Sequence, residues 1–296
     1  MPLRDILAAL ILIVVWGANF VVMKLGLEEF PPLLLGGLRF LFVAFPAVLF
    51  VPRPVLAWRH VLLYGATICV GQFMLLFLGL WLGMPAGLAS IVMQMQAFMT
   101  VGIAAVVLRE ALLPQHVLGM LLAIAGLVFL YPWGEGAAPV PLVGFLLTLM
   151  GAFSWAVGNV ALKCAGPVSM LSLVVWGALV APVPFGLLSL LFEGREQIMV
   201  SLTHVSLQGV LVVAYLSVLA TLVGYVLWGQ LLARHPVARV APLSLLIPIV
   251  GLLCANWFLG ERLVLLQWLG GLVVLLGLAV NLFGWRWLKL GFFTKH

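Results

Sequence analysis

The side chains in this sequence that could engage a ligand are few, and almost all are uncharged. Arg39 sits in the apolar stretch PPLLLGGLRF, about seven residues into a helix, or roughly 10 Å at 1.5 Å per residue. Trp16 and Asn19 stand together on one apolar run, and Trp155 and Asn159 on another. Gln72, Gln94, Gln96 and Thr100 supply amides and a hydroxyl; positions 96 and 100 share a helix face, while 94 points elsewhere. Tyr215, Ser217, Thr221 and Tyr225 offer hydroxyls, the last three on one stripe, and Ser244 adds another. Such groups suit reversible recognition of a small polar molecule. Arginine, amides and hydroxyls can meet a carboxylate; carbonyl oxygens or a tryptophan face can meet an ammonium group. Covalent chemistry is not indicated, because no nucleophile stands beside a base. His60, His116, His204, His235 and His296 all fall in loops or at segment ends.

Each candidate also has a purely structural reading. Arg39, which costs about 2.5–3.5 kcal/mol at the centre of a bilayer, could snorkel to the headgroups or pair with Glu28 or Glu29. The two asparagines could serve as interhelical hydrogen bonds worth about 0.6 kcal/mol, and tyrosines as part of an interfacial belt. Lys24 and Lys163 read as interfacial anchors. The acidic residues narrow the chemistry further. Asp5, Glu28, Glu29, Glu110, Glu135, Glu193, Glu196 and Glu261 all fall at helix ends or in loops, so no buried carboxylate is expected to serve a lipophilic cation or relay protons. A zwitterion is the better match. Glu110 and Glu261 are expected to be helix-end structural residues, which leaves facilitated movement down a gradient as an energy source.

The elements that position these residues are set by composition. Of 296 residues, 66% are hydrophobic and 7% charged, against about 25% charged in soluble domains. Lipid must therefore solvate most of the exterior. The net charge of +6 is carried mainly at helix ends, so it bears on topology and not on nucleic acid. Cys69, Cys164 and Cys254 lie in apolar runs with no disulfide or metal-ligand spacing, so they read as small buried hydrophobes. The apolar runs give ten predicted helices, approximately 5–26, 32–51, 60–80, 85–107, 114–132, 140–162, 170–191, 207–231, 237–259 and 264–284. They are too long, and lack the alternation of period two, for a β-barrel. The first run contains Trp16, Gly17 and Asn19 without a small-residue cleavage site, and is expected to be a retained span.

Lysines and arginines lie mainly on one side if the N-terminus is cytoplasmic: Arg4, Arg53, Arg59, Arg109, Lys163, Arg234, Arg239, Arg286, Lys289 and Lys295, against Lys24, Arg195 and Arg262 opposite. Both termini are thus expected in the cytoplasm. The chain also repeats itself. Pro85 and Pro236, Glu110 and Glu261, Gly119 and Gly270, and Gly126 and Gly277 are each 151 positions apart. Trp16 to Lys24 likewise matches Trp155 to Lys163 at an offset of 139, so the polar segment 193–208 reads as an insertion. Five helices per unit make the second copy enter the bilayer inverted, as in secondary transporters with a midplane site. Pro248 has Ala97 as its counterpart, which predicts a helix interruption in the second half alone.

The stretches WGANFVVMKLGL, PPLLLGGLRF, MPAGLAS followed by QAF, YVLWGQLL with VARVAPLSLL, and FLGERLVLLQWLGGLVVLLGLAVN resemble the EamA branch of the drug/metabolite transporter superfamily over essentially the whole chain. The resemblance implies an all-α integral membrane protein with ten transmembrane helices in two inverted five-helix repeats, 1–133 and 134–296. It further implies inner-membrane efflux of small amino-acid metabolites such as cysteine or O-acetylserine. The expected substrate-binding set is Trp16, Asn19, Arg39, Gln72, Gln94, Gln96, Trp155, Asn159, Tyr215, Tyr225 and Ser244. No cofactor, metal or nucleic acid is expected; the partners are a small amino-acid substrate and membrane lipid. Gly79 and Gly83 form a GxxxG pair compatible with either a monomer or a homodimer. The alternatives are an exporter of a different small polar metabolite, and a lipid flippase, which would need Arg39 and Lys24 as a basic headgroup site.

Overall fold

The computed structural model describes residues 1–131, 140–166 and 168–284, without the side chains of 237, 238, 241 and 242. The repeat boundary after 133, Glu135, and the terminal Arg286, Lys289, Lys295 and His296 lie outside the described residues. All regular structure among the described residues is helical. In lipid this is expected, since a helix satisfies its own backbone groups.

Among the described residues, eight helices are long and apolar enough to cross a membrane. They are α1 (Leu3–Glu29), α2 (Pro32–Leu49), α3 (Trp58–Trp81), α4 (Ala86–Val107), α6 (Leu142–Ala165), α7 (Met170–Phe192), α9 (Leu207–Arg234) and α11 (Leu265–Phe283). Two further apolar helices, α5 (Pro114–Leu130) and α10 (Leu243–Leu259), are shorter. The polar segment read as an insertion forms α8 (Arg195–Thr203), a surface helix with no buried residue. Prolines begin several helices, at Pro32, Pro114 and Pro182, where the missing N–H has no intrahelical partner to lose.

Several of the long helices are irregular, and the irregularities in three of them border the site. α3 widens to π geometry over Gly65–Gln72, and α9 does the same over Tyr215–Val223. Such widening frees carbonyls that other side chains must take. The Ser154 hydroxyl donates to Thr67 O at 2.7 Å, and the Trp16 indole donates to Ala220 O at 2.9 Å. α4 breaks between Ala86–Val92 and Met95–Val107. The approach to α10 is a helical turn, Val237–Val240, followed by 3-10 geometry over Ala241–Leu245. The interruption expected at Pro248 is therefore misplaced. Pro248 stands in the first turn of Leu246–Leu259, where proline is tolerated, and the break lies upstream of it. The first half is broken as well, at Met93–Gln94.

Helix α5 crosses α11 at glycines on both helices. A Cβ on Gly119 would meet Gly277 O at 2.8 Å, and one on Gly126 would meet Gly270 O at 2.7 Å. The pairing is reciprocal in the 151-residue register: each glycine faces the counterpart of the other. That is the contact pattern of a twofold axis between antiparallel helices. Gly79 is likewise spent inside the chain, against Gly144 O at 2.9 Å, and Gly83 has φ +100 just past the end of α3. Of the cysteines, Cys69 is buried, Cys254 half-buried and Cys164 exposed, so the thiol at 164 is not the buried hydrophobe expected.

At the α5–α11 crossing backbone meets backbone, so neither side can yield to an added side chain. Gly126→Val is expected to destabilise the fold by about 1–3 kcal/mol through overpacking. Thermal unfolding in detergent checks this, with Gly186→Ala as the unchanged control, because nothing lies within 4 Å of a Cβ there.

Candidate functional site

One cavity of about 290 Å³ lies among α1, α2, α3, α4, α6, α7, α9 and the start of α10. That is near the lower end of the roughly 300–1,000 Å³ of small-molecule sites. Both helix breaks open onto it, through Met93 and Gln94 on one side and Ser244 on the other. Every residue of the expected set lines it except Tyr215. Tyr215 turns away and donates to Val15 O at 2.8 Å, joining α9 to α1. In the sequence it already stood off the stripe of 217, 221 and 225, and the structure turns it toward α1.

Arg39 is 2% exposed. It neither snorkels nor reaches Glu28 or Glu29. Its Nη2 donates to Thr221 Oγ1 at 3.1 Å, and the guanidinium lies 4.0 Å from the centre of the Phe73 ring. Ser217 on the same stripe donates to Arg39 O at 3.0 Å. Nε and Nη1 remain without a hydrogen-bond partner, as do Asn19 Oδ1 and Gln72 Oε1. Among the described residues, Arg39 is the one charged side chain lining the cavity. Phe73 was missed from the sequence; its position beside Gln72 marks a face but gives no sign that an arginine stacks there.

The amides of the second asparagine are better satisfied. Asn159 Nδ2 donates to Gln96 Oε1 at 2.9 Å and to Thr100 Oγ1 at 3.3 Å, tying α6 to the second half of α4. The predicted sharing of a face by 96 and 100 is thus used. Trp16 packs edge-on to Tyr225 at 5.5 Å and near Trp228 at 5.7 Å, forming an aromatic wall.

The two ends of the bundle differ. At the end away from the N-terminus, Glu261 accepts from Ala86 N at 2.7 Å and Gly87 N at 2.9 Å, and so caps the start of α4. Directly beneath it, the Ser90 hydroxyl reaches Pro248 O at 3.4 Å, and Gly251 leaves no room for a Cβ against Ser90. Glu193 caps α2 in the same way through Leu33 N and Leu34 N, and Glu29 accepts from Ser206 Oγ. Lys24 donates to Leu80 O at 2.6 Å and does not line the cavity with Arg39, so the pair does not form a headgroup site. At the N-terminal end, Glu110 is half-exposed and paired with Lys163 at 2.6 Å. Asp5, placed at a helix end by the sequence, is in fact buried and bridges Arg234 at 3.0 Å and His235 at 2.7 Å.

Comparison with known proteins agrees with this architecture. The model of the EamA-like transporter family matches residues 3–131 and again 142–283. A Salmonella typhimurium protein named "Probable amino-acid metabolite efflux pump" is 47% identical, over 97% of both chains. An Escherichia coli protein of the same name is 45% identical over 98% of both. A solved crystal structure superposes with a TM-score of 0.64 at 21% identity, covering 97% of this chain and 99% of the other.

Against the cost of burying its charge, the Arg39 guanidinium has one hydrogen bond and a ring contact, and apolar replacement of buried charges is often neutral or favourable. Arg39→Met is therefore expected to leave the unfolding temperature of the ligand-free protein unchanged or to raise it by a few degrees. A scan in detergent showing a fall of several degrees would make Arg39 a structural residue.

Proposed function

The chain belongs to the EamA-like transporter family, and from that premise we propose that it exports small neutral amino-acid metabolites, such as cysteine or O-acetylserine, by alternating access. It is a multi-pass membrane transporter and not an enzyme. The observation that carries the proposal is the cavity itself. Its mainly apolar wall carries several amides and hydroxyls, one cation and no described carboxylate; Glu261 ties the helices together at one end, while at the other Glu110 is held by an exposed pair with Lys163. The names of the two close relatives point to the same substrate class.

Ten crossings in two inverted five-helix units account for the arrangement. Support comes from the two family matches, from π segments at 65–72 and 215–223, and from the reciprocal glycine crossing of α5 and α11. The N-terminus lies in the cytoplasm of a bacterium with its helices in the inner membrane, a reading supported by the excess of lysine and arginine on that side. The cavity is then open to the cytoplasm and closed outside.

In an inverted repeat the two ends can exchange roles. The counterpart of Glu261 capping Ala86 and Gly87 is Glu110 capping Val237 and Ala238. Here Glu110 is instead held by Lys163. The outward-open state releases Glu261 and lets Glu110 seat on the start of the Val237–Val240 turn. Each cap uses N–H groups that a helix start leaves unpaired. A monomer contains the complete pathway, so neither a monomer nor a homodimer is required by the mechanism.

Proteoliposomes containing the full chain are expected to move labelled O-acetylserine or cysteine at least about tenfold faster than empty vesicles. Glu261→Ala removes a cap worth about 0.5–2 kcal/mol and is expected to slow this several-fold. Rates equal to empty vesicles for every neutral amino acid would reject the proposal.

A further inference from the structure

Four buried polar atoms around the cavity lack hydrogen-bond partners, and they are of two opposite kinds. Arg39 Nε and Nη1 are donors on a cation; Asn19 Oδ1 and Gln72 Oε1 are neutral acceptors. Each residue is more than nine-tenths buried. An unpaired polar atom in such surroundings is costly, and an unpaired charge more so. Other polar groups of the cavity are spent within the protein: Asn159 on Gln96 and Thr100, and the Trp16 indole on Ala220 O. The unspent atoms are the pattern that a ligand would have to complete.

We infer that the cavity recognises the headgroup of a free α-amino acid, Arg39 taking the α-carboxylate and the amide oxygens of Asn19 and Gln72 taking the α-ammonium. This rests on the transport reading and adds to it which part of the substrate is read. The carboxylate neutralises the buried guanidinium, while Thr221 and the Phe73 ring fix that guanidinium in place. Because Arg39 is the one charged lining group among the described residues, the ammonium is met by neutral oxygens and by the face of Trp16. A decarboxylated amine would place a second cation beside Arg39 and leave its nitrogens unpaired. The inference therefore separates amino acids from the corresponding amines. The flexible thioethers of Met93 and Met170 also line the cavity and tolerate differences in the substrate side chain, so the headgroup carries the specificity.

The test is binding to the full-length wild-type protein in detergent, measured by calorimetry under reducing conditions. Three probes differ only in the headgroup: cysteine, cysteamine without the carboxylate, and 3-mercaptopropionate without the ammonium. Charge-assisted hydrogen bonds are worth about 1.5–3 kcal/mol. Cysteamine is thus expected to bind at least about tenfold more weakly than cysteine. The acid lacking the ammonium is expected to bind several-fold more weakly, since Asn19 and Gln72 stay unpaired. In Arg39→Gln the cysteine-to-cysteamine ratio should fall to near one. Should that variant fail to fold, the wild-type series decides alone. Cysteamine binding as well as cysteine, or no binding of cysteine at all, would overturn the inference. Flux of amines and amino acids alike in vesicles would also overturn it, while leaving the transport reading standing. Selective binding without flux would uphold the headgroup assignment and remove transport.

Discussion

The carboxylate of Glu261 on the start of α4 joins the two halves of this protein at the end away from the N-terminus. The first N–H groups of α4 have no partner within the helix, and Glu261, arriving from the end of α10, satisfies two of them at once. The bond is charge-assisted and favoured by the helix dipole. It draws the first half of α4 onto the second half of α10, so that Ser90 and Gly251 meet without space between them. The consequence reaches the cavity. Ser90, in that contact, also lines the cavity, while at the other end Glu110 is paired with Lys163.

Closure and recognition depend on the same broken helices. At the break in α4 the backbone stays paired through tighter bonds, Gln94 N to Ile91 O and Ala97 N to Gln94 O, and the approach to α10 tightens likewise over Ala241–Leu245. Both tightened segments border the cavity, through Met93, Gln94 and Ser244, the setting in which irregular backbone is tolerated inside a membrane. The π segments of α3 and α9 do related work. They leave carbonyls that Ser154 and Trp16 cap, and these bonds tie the halves of the bundle across the cavity.

Much of this was legible in the sequence, because apolar runs bounded by prolines and charges mark spanning helices and the costly polar residues inside them point inward. Arg39, Gln72, Gln96 and Asn159 were found on that ground alone. Tyr215 stood off the stripe of 217, 221 and 225, yet residue type alone gave no sign that its hydroxyl is spent on Val15 O of α1. The break in α4 was also hidden: it has no proline, and Pro248, the residue that suggested a break in the other half, begins a helix. Asp5 showed as a helix-end residue but not as a buried one, because its partners Arg234 and His235 are 229 and 230 positions away. That two lysines at matching places, Lys24 and Lys163, end in unlike contacts is a property of one conformation and could not be read from a repeat.

The most direct measurement of the central claim is of distances at both ends of the α4–α10 contact. Spin labels at Leu82 and Arg262 would report the end that Glu261 closes, and labels at Val107 and Arg239 the other, in a chain freed of Cys69, Cys164 and Cys254. With O-acetylserine added, a second population is expected in which the first pair moves apart as the second draws together. Distances that stay fixed at both ends, or lengthen at both together, would contradict a passage opened by turns.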